Sequence, residues 1–171
     1  MNERVDRMIR AAKLDPKLYE EVEADPGTMK EAGLVVVLSS IAAGIGSIAQ
    51  GGLAGIVFGT VAALAGWFVW AYLTCIIGTK LLPTPETDAD YGQLLRTLGF
   101  ASAPGLIRVL GVVPLLGPII FLISGIWMLA AMVVAVRQAL DYTSTGRAIL
   151  VCLIGWVAQW VVLVVFFALV R

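Results

Sequence analysis

Residues 109–136, VLGVVPLLGPIIFLISGIWMLAAMVVAV, contain no Asp, Glu, Lys, Arg or His. A helix rising ~1.5 Å per residue needs about 20 apolar residues to cross a ~30 Å hydrocarbon core, and a charge at its centre costs roughly 2.5–3.5 kcal/mol on insertion scales. This stretch is long enough and avoids that cost. Working outward, the same charge-free character returns in Gly33–Ala49 and Gly52–Thr79. Hydrophobic residues make up 60% of the chain and charged ones 14%, with a mean hydropathy of +0.93, which places it in the membrane class. The pattern predicts an all-α, polytopic membrane protein with a bundle of about five transmembrane helices, the third short and broken by proline.

What the composition lacks bears on function. Without histidine the commonest zinc ligand, haem ligand and general base are missing. Cys75 and Cys152 sit inside apolar runs and read as small core fillers. A lipid-acting enzyme would have to recruit Asp141, Tyr142 or Arg147 at the inner surface, where no base and nucleophile pair is evident. No enzymatic activity, cofactor, metal or nucleic-acid partner is expected.

Residues 1–28 read as a cytoplasmic amphipathic and acidic helical segment, and 29–171 as the transmembrane domain. The first 32 residues hold six basic and eight acidic side chains. Val5, Met8, Ile9 and Ala12 share one helical face, while Arg4, Arg7, Arg10 and Lys13 cover the rest. Such a helix lies on anionic headgroups, docks on its own bundle or is simply solvated, and the pattern suits each. Asp15-Pro16 and Asp25-Pro26 each combine an N-cap with proline at the first helical position. They predict a short acidic helix over 17–24 and, after it, the start of the first span over 28–49. Ser47-Ile48-Ala49 looks like a cleavage site, but the long charged region before it argues against a signal peptide.

Gln50-Gly51-Gly52 predicts a tight turn into a second span over 53–77, closing a helical hairpin. The polar stretch Pro83–Gln93 is a water-exposed loop. Leu98–Val113, with Pro104 and Arg108, is either a short third crossing or a re-entrant hairpin. Charge counting favours crossing. With the N-terminus cytoplasmic and five crossings, the inside segments hold six N-terminal cations, then Lys80 and Arg96, then Arg137 and Arg147, ten of the twelve Lys and Arg. The fourth span is expected over 115–136 and the fifth over 148–170, with the C-terminus outside.

Several residues invite a functional reading. Gly55 and Gly59 form a GxxxG, continued by Ala63 and Gly66, which lets helix backbones approach closely within the chain or between copies. Ser40 and Gly44 would suit the facing half of that contact. Trp67, Trp70, Trp127, Trp156 and Trp160 mostly lie too deep for an interfacial belt, since Trp156 is ~13 Å beyond Arg147 along a helix. Their indole N–H groups want acceptors inside the bundle, or the rings line a groove for lipid or another apolar ligand. Gln159 serves as interhelical glue or begins a substrate path. Arg108 either snorkels to the outer headgroups or binds a lipid phosphate or a partner's carboxylate. Pro104, Pro114 and Pro118, set among Gly105, Gly111 and Gly117, read as a tight turn rather than an ion site.

The run Leu98-Gly99-Phe100-Ala101-Ser102-Ala103-Pro104, then Val113-Pro114-Leu115-Leu116-Gly117, Gly125-Ile126-Trp127, Arg137-Gln138-Ala139 and Thr145-Gly146-Arg147-Ala148, resembles the Yip family of Rab-interacting integral membrane proteins in its short prokaryotic form. The resemblance covers about residues 16–170, with Gly99, Phe100, Pro104, Pro114, Gly117, Trp127 and Arg147 as its motif positions. It implies a five-helix membrane domain with a cytoplasmic N-terminus. Eukaryotic members of that family are associated with Rab GTPases and with traffic between endoplasmic reticulum and Golgi. The N-terminal region here is short beside theirs, so Rab GTPase binding is not expected to carry over. The expectation is a non-enzymatic scaffold or accessory subunit in a bacterial or archaeal cytoplasmic membrane. It would work through lipids and either a membrane-protein partner or self-association. The rival is a small oligomeric transporter or channel with a path near Pro104–Pro118.

Overall fold

The computed structural model describes residues 3–113 and 115–169, in which helices are joined by loops and no strand is present among the described residues. Two short helices, α1 (Glu3–Ala12) and α2 (Pro16–Ala24), precede α3 (Met29–Gly46) and α4 (Ile48–Ile76), which continues as a π-turn over Ile77–Leu81. Then come α5 (Tyr91–Phe100), a 3-10 helix over Ala103–Val112, α6 (Gly117–Ala139) and α7 (Thr145–Leu169).

Both Asp-Pro pairs start helices as their chemistry predicts. The Asp15 carboxylate accepts the Lys17 N–H at 3.1 Å with Pro16 opening α2. Asp25 accepts the Gly27 N–H at 2.8 Å, and Pro26 opens a 3-10 turn that runs into α3. The hairpin turn is spread more widely than Gln50-Gly51-Gly52. Ser47 ends α3, Ile48 resumes helix, and Gly52 kinks it with φ +57° and ψ −164°. Only glycine adopts that backbone without strain.

Among the described residues four stretches have the length and hydropathy to cross a membrane: Pro26–Gly46, Ile48–Leu81, Gly117–Ala139 and Thr145–Val162. The expected third span is different in kind. Its α-helix stops at Phe100, and Pro104, which has no N–H, stands near the start of ten residues of 3-10 helix. This segment lies flush on α3. A Cβ at Gly99 would come within 2.7 Å of the Ala32 Cβ, and one at Gly105 would collide with Ser39 Oγ. Gly111 sits against the Gly46 backbone. Residues 99–111 therefore run alongside 32–46 in the same direction. α4 opposes α3, with Ile56 against Gly44 and Trp67 against Gly33, and α7 opposes α4, with Gly155 on Trp70. Successive long segments thus alternate in direction.

The N-terminal helices are docked on the bundle and share its core. Ala11, Leu18, Tyr19 and Val22 are fully buried with Leu94, Phe100 and Ala139. Arg96, buried on α5, donates Nε to the Val22 carbonyl at 2.9 Å and Nη2 to the Glu23 carbonyl, holding the C-terminal end of α2. Trp127 on α6 donates to the Ala12 carbonyl, and Gln138 donates to Glu20 Oε1, each at 2.7 Å.

Candidate functional site

The helices enclose a lateral cavity of about 840 Å³ between α3, α4, the 3-10 segment, α6 and α7. α6 and α7 both contribute to its wall. Where the loop from Leu140 to Ser144 joins them, buried Ala139 and Ala148 permit close approach. Further along, Leu129 on α6 and Leu153, Trp156 and Trp160 on α7 are more than half exposed and flank the mouth. Trp156 and Trp160 stack edge to face, 6.2 Å apart at 83°.

Arg108 stands at one end of the cavity. Its carbonyl lies against the backbone of Gly46, the last residue of α3. Its Nε donates to Ser124 Oγ at 2.8 Å, and the guanidinium carbon lies 5.7 Å from the centre of the Phe121 ring. Among the described residues no carboxylate is within 4.0 Å of it. Trp67 and Trp70 on α4 and Gln159 on α7 also line it. Trp67 is satisfied by the Leu95 carbonyl at 3.0 Å. Buried Trp70 Nε1 and Gln159 Oε1 have no hydrogen-bond partner among the described residues.

The structure distributes the remaining sequence-derived residues over distinct places. Ser40 and Gly44 do meet α4, through Thr60 (Ser40 Oγ to Thr60 Oγ1, 3.2 Å) and Ile56. Gly55 and Gly59 face open space, with no atom within 4 Å of an added Cβ, while Ala63 and Gly66 line the cavity. Arg7 pairs with Glu3 (2.8 Å), Glu21 (3.1 Å) and Glu31 (3.0 Å), and Arg10 with Asp15 (2.9 Å) and Glu21 (2.7 Å). Arg4 lies 3.4 Å from Glu31. The hydrogen bond from Arg10 holds the Asp15 and Glu21 carboxyls below their ordinary range.

Of the motif positions, Gly99 and Pro104 seat the 3-10 segment, Phe100 is fully buried, and Gly117 abuts the Gly111 carbonyl. Pro114 lies outside the described residues. Arg147 donates to the Pro83 carbonyl at 3.1 Å and stacks on Tyr142, whose hydroxyl donates to the Leu82 carbonyl at 2.7 Å. Sequence reading missed Arg96, counted only as an inside charge, and Ser124, a lone hydroxyl in an apolar span. Among the described residues no group of three or more His, Cys, Asp or Glu is placed to hold a metal.

Long apolar helices around an apolar core define a polytopic helical integral membrane protein. The family model for the Yip1 domain matches residues 15–167, most of the chain, and this protein belongs to that family. No curated protein and no solved structure matches it. A membrane-associated role without enzymatic activity fits both the family and the helices.

Proposed function

We propose that this chain is a scaffold or accessory subunit of a bacterial or archaeal cytoplasmic membrane, organising other membrane components through helix and lipid contacts. The observation that carries the reading is the open face of α4. A Cβ added at Gly55 or Gly59 would meet no atom of the described residues within 4 Å, and the two are flanked by Leu53, Val57, Phe58 and Val61, each more than 60% exposed. Lipid tails offer no hydrophobic drive for helix association, so small residues that admit a second backbone are the usual basis of such contacts.

The reading includes five crossings, with residues 1–28 cytoplasmic and the C-terminus outside. Support for the count comes from the direction of residues 99–111, parallel to α3, and support for the orientation from the ten inside cations. The test is extraction into polymer nanodiscs from native membranes and native mass spectrometry, with Gly59→Leu alongside. A stoichiometric foreign subunit or second copy, lost in the variant, is expected. A monomer without protein partner would overturn the reading.

A second reading, a small oligomeric transporter or channel, draws on Arg108 and Gln159 facing one cavity. Retained flux in Arg108→Leu vesicles would count against a path through Arg108.

A further inference from the structure

We propose that the lateral cavity binds the acyl chains of one anionic phospholipid, whose phosphate sits on the guanidinium of Arg108. This inference requires membrane residence and holds whether or not the scaffold reading does.

Size argues for chains. On α7 the lining runs from Ile149 to Trp160, eleven residues further on, so the cavity extends ~16 Å at 1.5 Å per residue. That matches the hydrocarbon of one leaflet, half of a ~30 Å core. The lining is mostly apolar, and the mouth flanked by exposed Leu129 and Trp156 offers acyl chains a lateral entrance. Once there, they restore the dispersion contacts that the lining side chains lack.

Charge argues for an anion. Arg108 uses Nε on Ser124, but Nη1 and Nη2 reach no acceptor among the described residues. A guanidinium half-buried at the end of an apolar cavity is costly without a counter-charge, and its planar fork suits two phosphate oxygens. Its position beside the last residue of α3 sets it at the depth where a lipid whose chains follow α3 carries its headgroup. Ser124 and Phe121 hold the side chain on that side, leaving its outer edge toward the lipid.

The test uses the full chain, purified into nanodiscs containing phosphatidylglycerol and phosphatidylcholine in equal amounts, released into the gas phase for native mass spectrometry. One retained phosphatidylglycerol per chain is expected, preferred roughly ten-fold over phosphatidylcholine, the size of one or two charge-assisted hydrogen bonds. Arg108→Gln should bring that preference near one while leaving a lipid bound. Gly66→Leu, which projects into the cavity beside Gln159, should lose the retained lipid of either kind. Circular dichroism and elution volume verify that both variants fold. No retained lipid, a preference unchanged in Arg108→Gln, or a polypeptide cross-linking to Gln159→Cys in place of lipid would each overturn the proposal.

Discussion

The indole Nε1 of Trp127 donates a 2.7 Å hydrogen bond to the carbonyl oxygen of Ala12, the last residue of α1, across 115 positions of sequence. The bond satisfies a helix-terminal carbonyl and a partly buried indole together, and it ties α1 to α6. Trp127→Phe keeps the ring packing and leaves that carbonyl without its donor, at a cost of about 1–3 kcal/mol. Faster amide exchange confined to α1 in the variant is the expected result, and unchanged exchange would show that the bond contributes little to docking.

Close packing of the end of α5 on α3, and the open face of α4, predict opposite effects for two glycines. A methyl at Gly99 meets Ala32 Cβ at 2.7 Å and its carbonyl oxygen at 3.0 Å, so Gly99→Ala should destabilise by about 1–3 kcal/mol. Gly59→Ala, with nothing within 4 Å, should stabilise by about 0.5–1 kcal/mol through helix propensity. Thermal unfolding in one detergent compares them.

Glu23 predicts a pH dependence at the α2 contact. Burial, then the charge of Asp141, push its carboxyl up to about 7, against the opposing pull of Arg96, with Glu20 and Asp90 adding to the rise. A carboxyl raised in the folded state favours folding while neutral, so its contribution is complete below the ordinary carboxylate range and is lost as pH rises to about 7. Glu23→Gln should therefore gain stability at pH 8 relative to wild type and little at pH 4. A Tm difference independent of pH would contradict this.

Asp15 and Glu21 work in the other direction. Both are held low by Arg10, so their contribution is present above the ordinary carboxylate range and fades as pH falls through their depressed values. Arg10→Gln should weaken docking of α1 on α2 at neutral pH and narrow the gap between neutral and acid stability. Added salt should narrow it too, since these groups are partly exposed. Limited proteolysis between α1 and α2 as a function of pH and salt measures both effects.

Much of the architecture was legible from local chemistry. Charge-free runs of sufficient length mark the membrane helices, and the Asp-Pro pairs mark two helix starts. Gly52 and Pro104 mark breaks in helical geometry. Each acts over a few neighbouring residues, through transfer cost, capping or backbone sterics, and needs no knowledge of distant partners.

Which faces meet is another matter. α4, α6 and α7 are apolar on almost every side, so periodicity carries no orientation for them. The sequence therefore singled out the glycine spacing on α4, but tertiary packing placed Gly44 and Ser40 against Ile56 and Thr60 and left Gly55 and Gly59 open. The spacing of Arg7 and Arg10 suits headgroups as well as docking on the bundle, and only the fold brings Glu21 and Glu31 beside them. Arg108 and Gln159, 51 positions apart, converge on one cavity because the 3-10 segment and α7 both line it. By itself the sequence determined that this protein lives in a membrane and where its helices begin and break. The tertiary structure alone decided which polar groups face each other across apolar helices, because in such helices position is set by side-chain shape and not by a hydrophobic stripe.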